Sequence, residues 1–153
     1  AIPNAKLHIF AGYKTYGGRN KEKIKNILSS VRALNDSSIE LFEPIPKKQL
    51  FDKLLNYRAM LYKGDPGETF CLSVAEAQAL GVPCVVKPIG SLGERVKDKI
   101  TGIVASDDEE FTNGAISILK EDKVWMTYRD NSLKFQRDYQ WEKIAKKYKN
   151  LIN

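Results

Sequence analysis

Apolar residues recur along this chain at two periods. Alternating β-branched and aromatic side chains mark residues 6–12 (KLHIFAG) as a strand that stops at Gly12. The stretch RNKEKIKNILSSVRAL then spaces Ile24, Ile27, Leu28, Val31 and Leu34 three and four apart, the stripe of an amphipathic helix. SIELFEPIP predicts a second strand, ended by Pro44 and Pro46. Pro46 suits the first turn of a helix reaching Asn56, with Leu50, Phe51, Leu54 and Leu55 on one side. AMLYKG predicts a third strand, and residues 73–80 a helix closed by Gly81. PCVVKP is a fourth strand, nearly all apolar, as in a sheet covered on both faces. TGIVAS gives a fifth. Ser106 to Glu109 read S-x-x-E, a capping box opening a helix through Leu119. Two helices close the chain, over residues 124–139 and 141–152, the last carrying Ile144, Tyr148 and Leu151 on one stripe.

Strand and helix in regular alternation predict an α/β fold, a Rossmann-like parallel sheet flanked by helices, with helices at the C-terminus. The pattern contains no internal repeat or inter-domain linker, so residues 1–153 are expected to form a single α/β domain. In such sheets ligands sit beyond the carboxyl ends of the strands, beside helix N-termini.

Composition narrows the class. With 42% hydrophobic and 29% charged residues the chain is neither disordered nor fibrous. Its longest apolar runs, such as residues 82–86, are far too short to cross a bilayer. Two cysteines, Cys71 and Cys84, make no disulfide framework for this length and read as buried thiols of a cytoplasmic protein. With one histidine, His8, and no Cys/His pair at ligand spacing, no metal site is expected. The net charge of +6 suits a nucleic acid, an anionic membrane surface or a phosphorylated substrate. Most lysines are dispersed along helices, and only KIAKKYKN near the end concentrates them, as a solvated helix face or a peripheral contact with anionic lipid.

The chemistry gathers in GDPGETFCLSVAEAQALGVP, residues 64–83. Gly64 and Gly67 let backbone approach a ligand closely. The helix that follows offers unpaired N–H groups and about half a positive charge at its start, a ready site for a phosphate or diphosphate. Neither G-x-x-x-x-G-K-[ST] nor G-x-G-x-x-G is present, so a phosphate would rest on the helix end and not in a glycine cradle. Glu68 stands just before this helix and Glu76 about one turn inside it. A carboxylate can accept from both hydroxyls of a vicinal diol. A diphosphate with a diol on each side describes a nucleotide sugar. The same residues have a plainer reading, because Ser73 and Glu76 also spell a capping box and Glu68 can be a solvated loop acid.

GETFCLSVAEAQALGVPCVV, together with GSLGERVKDKITGIVAS, resembles the donor-binding half of the retaining GT-B glycosyltransferases of family four, a group that includes glycogen synthases and phosphatidylinositol mannosyltransferases. The matching pattern is E-x-F-G-x-x-x-x-E-A-x-A-x-G-x-P-V-V. Glu94, Arg95 and Val96, then Thr101 and Gly102, fit its second part, and PNAKLHIFAG and LFEPIP match the order of elements upstream. The resemblance implies that Glu68 is the catalytic-site carboxylate, orienting hydroxyls of the transferred sugar. By the same resemblance Glu76 holds the ribose, and backbone around Gly67, Thr69, Phe70, Cys71 and Leu72 meets the sugar and diphosphate. Ile45 would lie against the nucleobase. It implies a UDP- or GDP-sugar donor and no metal at the reacting centre, the leaving diphosphate being stabilised by backbone dipoles and basic side chains. Cys71 departs from the family's usual glycine and places a Cβ near the sugar subsite. The family's phosphate-binding arginine and lysine and its acceptor-binding N-terminal domain would precede Ala1, which reads this chain as part of a larger hexosyltransferase, inactive alone. The family's last helix often crosses back onto that domain. Trp141, Ile144 and Tyr148 are candidates for this contact, the plainer expectation being packing within this domain.

Two other readings compete. One is another GT-B enzyme, a phosphorylase or a sugar-nucleotide epimerase, although the E-x7-E run and the missing pyridoxal lysine context argue against both. The other is a non-catalytic basic module for nucleic acid or anionic membrane. Trp125, Phe135, Tyr139 and Trp141 fall at helical core spacing and not as an exposed stacking platform, which argues against nucleic acid.

Overall fold

The computed structural model describes residues 2–11 and 21–152. Gly12, Arg19 and Asn20 of the sequence reading lie outside them. Among the described residues five strands alternate with helices: β1 (Leu7–Phe10), α1 (Lys21–Ala33), β2 (Ile39–Phe42), α2 (Lys47–Leu54), β3 (Met60–Tyr62), α3 (Leu72–Ala79), β4 (Cys84–Val86), α4 (Leu92–Arg95), β5 (Gly102–Val104), α5 (Asp108–Lys120), α6 (Asp122–Gln136) and α7 (Trp141–Ile152). All strand pairs are parallel, as the alternation predicts. The chain divides into two compact units, Ala1–Leu50 and Phe51–Asn153.

In the first unit β1 pairs with β2 from Leu7↔Ile39 to Phe10↔Phe42. Phe10 stacks on Phe42 with ring centroids 5.0 Å apart, and Lys6 bridges to Glu40 at 3.1 Å across the same pair of strands. On α1 the stripe splits: Ile24, Leu28 and Val31 are half-buried, while Ile27 and the following Leu34 are exposed. No described residue of this unit is fully buried.

The second unit holds the core. Its sheet has the order β3-β4-β5, with Met60↔Cys84 and Cys84↔Gly102 in register. The central strand Cys84–Val86 is completely buried, which accounts for its unbroken apolar run. Successive side chains of a strand point to opposite faces. Val85 packs with Ile103, Ala105, Phe111, Ala115 and Ile118, extended by Val124, Trp125 and Tyr128. The Cys84 thiol turns to α3, towards the Val74 carbonyl. Burying a valine or isoleucine side chain of this kind stabilises by roughly 1.5–3 kcal/mol. Leu54 of α2 is buried, but Leu55, expected on the same side, is exposed.

A buried polar network ties α3, the turn before β5 and α6 together. Gln78 donates to Thr101 Oγ1 at 3.0 Å, Gln136 donates to Gln78 Oε1 at 2.8 Å, and Ser132 donates to the Thr101 carbonyl at 2.9 Å. Every member finds a partner, the condition for burying polar groups without a net penalty.

Several helix boundaries differ from the sequence reading. The cap of α5 is Asp107, not Ser106: its carboxylate accepts from Glu110 N at 2.7 Å, while Glu110 accepts from the Ser106 N–H and hydroxyl at 2.8 and 2.9 Å. The cap bond is shifted by one residue, and Glu110 reaches back past the cap to Ser106, because a charged carboxylate is the stronger acceptor and serine can serve as a donor. The glycine-rich turn after β4 winds into the short helix α4. Finally, α6 ends at Gln136 and a 3-10 turn, Arg137–Tyr139, leads to α7. The expectation that α7 packs within this domain holds only at Ile144, which is half-buried. None of its residues is buried and Trp141 is 84% exposed, so the helix presents Trp141, Tyr148, Leu151 and Ile152 outward.

Candidate functional site

Beyond Tyr62 the chain leaves β3 and runs as a loop to α3, at the carboxyl end of the parallel sheet. The loop is fixed by its own backbone. Asp65 accepts from Gly67 N at 2.8 Å through its side chain and from Glu68 N at 3.0 Å through its carbonyl. The Glu68 carbonyl in turn accepts from Ser91 N, in the segment after β4, at 3.0 Å. That approach requires glycine at position 90, where φ is +58° and a Cβ would stand 2.6 Å from the Glu68 carbonyl oxygen. Tyr62 donates to Glu68 Oε1 at 3.2 Å. Glu68 is therefore half-buried, pinned through both backbone groups, and oriented by a phenol.

The loop delivers the start of α3 with its cap position filled by Cys71, in the left-handed region at φ 54°, ψ 74°, and without a side-chain cap. The first N–H groups of the helix have no acceptor within it, so the positive end of the helix dipole is left for another acceptor. A glycine takes this conformation freely, and a residue with a Cβ pays about 1–2 kcal/mol for it. Cys71 is 4% exposed, its Sγ 3.5 Å from Ser73 Oγ, and burial raises its thiol pKa, opposed by the contact with Ser73. The Cβ expected near the ligand thus carries a buried, protonated thiol. Ser73 lies inside α3 and not at its cap, so the Ser73–Glu76 capping box does not form. Glu76 sits half-buried about one turn into the helix.

Of the other residues singled out in the sequence, Gly67, Thr69, Phe70 and Leu72 are exposed around this helix end, Phe70 by 45% and Leu72 by 63%. Ile45 belongs to the first unit, half-buried in the connection between β2 and α2.

Two features escape a linear reading. Lys63 follows β3 and Lys87 follows β4, and both reach Asp108 in the first turn of α5, at 2.9 and 2.6 Å. The hydrogen bonds from Lys87 and Lys63, reinforced by their charges, hold the Asp108 carboxyl at about 2. Arg95 lies against the site loop: its Nε donates to the Phe70 carbonyl at 3.2 Å, and its guanidinium covers the Phe70 ring at 3.8 Å. The signal for Arg95 was its spacing. Leu92, Arg95 and Val96 share one side of a helical turn, and Leu92 and Val96 are fully buried. For the lysines, the signal was a basic residue directly after each of two strands. Among the described residues no group of three or more His, Cys, Asp or Glu side chains is placed to hold a metal, and no helix is long and apolar enough to cross a membrane.

Parallel strands, flanking helices and a pinned acidic loop before an uncapped helix start define a Rossmann-like fold, with that loop at the carboxyl end of the sheet. The chain belongs to the family "Glycosyl transferases group 1", whose model matches residues 1–135. Its fold resembles that of sucrose-phosphate synthase from Thermosynechococcus elongatus, at 21% identity and a TM-score of 0.71 over 86% of this chain and 34% of that one. It also resembles HepE of Anabaena, solved in complex with UDP, at 14% identity and a TM-score of 0.75 over 98% of this chain and 42% of that one. The pneumococcal O-GlcNAc transferase GtfA, in complex with UDP and GlcNAc, matches at 18% identity and a TM-score of 0.64 over 96% of this chain and 29% of that one. The chain thus spans less than half the length of these solved proteins. No curated protein matches it.

Proposed function

We propose that this chain is the donor-binding half of a retaining glycosyltransferase that moves a hexose from a nucleoside-diphosphate sugar to a glycan or lipid acceptor. The observation that carries the reading is the uncapped start of α3, at the end of a pinned loop, with Glu68 before it and Glu76 one turn within. In this reading the diphosphate rests on the N–H groups of Phe70, Cys71 and Leu72, beside Gly67 and Thr69. Glu68, steadied by Tyr62, orients the sugar hydroxyls. Glu76 takes the ribose diol, and Ile45 is our candidate for the nucleobase contact. As the bond from the anomeric carbon to the diphosphate breaks, negative charge grows on the leaving oxygen, where the helix dipole is strongest. The reading needs no metal and leaves acceptor recognition to a further domain. The presence of UDP in two of the similar structures supports a nucleotide donor here.

The test is an NMR titration of the 153-residue chain with UDP, GDP and ADP, repeated on Glu76→Ala. We expect base-selective shifts at Ile45 and residues 70–76. In the variant we expect a loss of at least about tenfold in affinity with the fold retained, since hydrogen bonds to a charged group are worth roughly 1.5–3 kcal/mol. No shift with any nucleotide, or a Glu76→Ala effect on melting alone, would count against the donor site.

A second reading rests on α7. Lys143, Lys146, Lys147 and Lys149 lie opposite an exposed stripe of Trp141, Tyr148, Leu151 and Ile152, the make-up of a helix that lies on an anionic membrane. It is compatible with a cytoplasmic enzyme attached peripherally to the inner face of a membrane. Co-sedimentation with anionic but not neutral vesicles tests it, and equal binding to both would remove it.

A further inference from the structure

Among the described residues Arg95 is the only charged residue that is buried, at 7% exposed. Buried guanidinium groups ordinarily face a carboxylate, because an unpaired charge out of water is costly. Arg95 has no such partner. Its Nε bonds the Phe70 carbonyl, its plane lies over Phe70 at 3.8 Å and near Tyr139 at 5.0 Å, and its Nη1 is buried with no hydrogen-bond partner. Burial pulls its pKa below the ordinary value, opposed by the fields of Tyr139, Cys71 and Glu94. The cation is therefore retained at a cost, and what it touches is the residue just before the cap of α3.

That location gives the cost a purpose. The start of α3 already carries partial positive charge on unpaired N–H groups. A full charge held behind it in a poorly solvated position adds to the same field, with less screening than an exposed lysine would suffer. The hydrogen bond to the Phe70 carbonyl also fixes the peptide that joins Phe70 to Cys71, and hence the direction of the N–H groups at the helix start.

We propose that Arg95 is a positioning residue for an anion at the start of α3, orienting the 70–72 backbone through the Phe70 carbonyl and lending its unpaired charge to a bound diphosphate. The inference rests on the donor reading above for the identity of the ligand, but the anion site stands on Arg95 and α3 alone.

The experiment titrates the 153-residue chain with inorganic pyrophosphate, UDP and GDP, following backbone amides and the Arg95 Nε–H by NMR. Arg95→Met keeps a long unbranched side chain and removes the charge, whereas Arg95→Lys keeps the charge and loses the planar donor. We expect Arg95→Met to weaken pyrophosphate and nucleoside diphosphate by about tenfold or more, and Arg95→Lys by clearly less, because the charge is the larger contribution. A purely structural arginine would lower the melting temperature of both variants and leave affinity unchanged, and that result overturns the proposal. In the wild type, which needs no variant to fold, the Arg95 Nε–H and the 70–72 amides should move on one saturation curve. An Arg95 signal unmoved by bound pyrophosphate also overturns it. Pyrophosphate binding that depends on Arg95, with no gain from uridine or guanosine, would uphold the anion site and remove the donor reading. Absence of binding by any of the three ligands overturns both.

Discussion

Lys63 and Lys87 meet on a single carboxylate, Asp108, and so join the ends of β3 and β4 to the start of α5. The folded pKa of Asp108, about 2, lies below its ordinary 3.8, so the ionised form is favoured by folding. The stability this brings is present above pH 3.8 and is lost as pH falls from there towards about 2. Asp108→Asn is therefore expected to melt below the wild type at neutral pH, with the gap closing near pH 2, as read from thermal denaturation across that range. Because the carboxylate is exposed, the gap at neutral pH should be small and should shrink further with salt. A gap independent of pH would mean that packing, not charge, is what the substitution removes.

Between elements, the decisive contact is Thr101. Its hydroxyl accepts from Gln78 Nε2 at 3.0 Å and from Lys97 N at 2.9 Å, while its carbonyl takes Ser132. Thr101→Val preserves shape and leaves two donors without an acceptor, at a cost of about 1–3 kcal/mol. Urea denaturation should register this as a lower midpoint with an unchanged m-value. At this scale the sequence was readable wherever a signal is local. The apolar alternation in β1, the unbroken run of β4 and the glycine after α3 each mark an element by the face it must bury or the turn it must make. Signals that two neighbouring residues can satisfy were harder to read. Ser106 and Asp107 both stand three residues before a glutamate, and the choice between them depends on acceptor strength in the folded turn. The Ser73–Glu76 box was likewise plausible as spelling, and failed because the cap falls two residues earlier, at Cys71, with the helix starting at Leu72.

Across the whole chain, the charge of +6 favours any anionic ligand. If the donor reading is right, affinity for UDP should fall several-fold between about 20 and 300 mM salt, as the screening length shortens from roughly 20 Å to below 8 Å. The buried Arg95 should keep part of that affinity where exposed lysines do not. Salt-insensitive binding would assign the affinity to the nucleoside instead of the diphosphate.

By itself the sequence determined the alternation of strands and helices, the loop before α3 and the pairing of Glu68 with Glu76 around a helix start, because periodicity, turn residues and helix dipoles act over a few residues. The tertiary structure alone decided that the strands pair as two sheets, that α7 turns its apolar stripe outward, and that Phe70 finds Arg95 and Lys63 finds Asp108 across 25 and 45 residues. Those contacts depend on which surfaces meet once the core of the second unit has closed, and no local pattern encodes that.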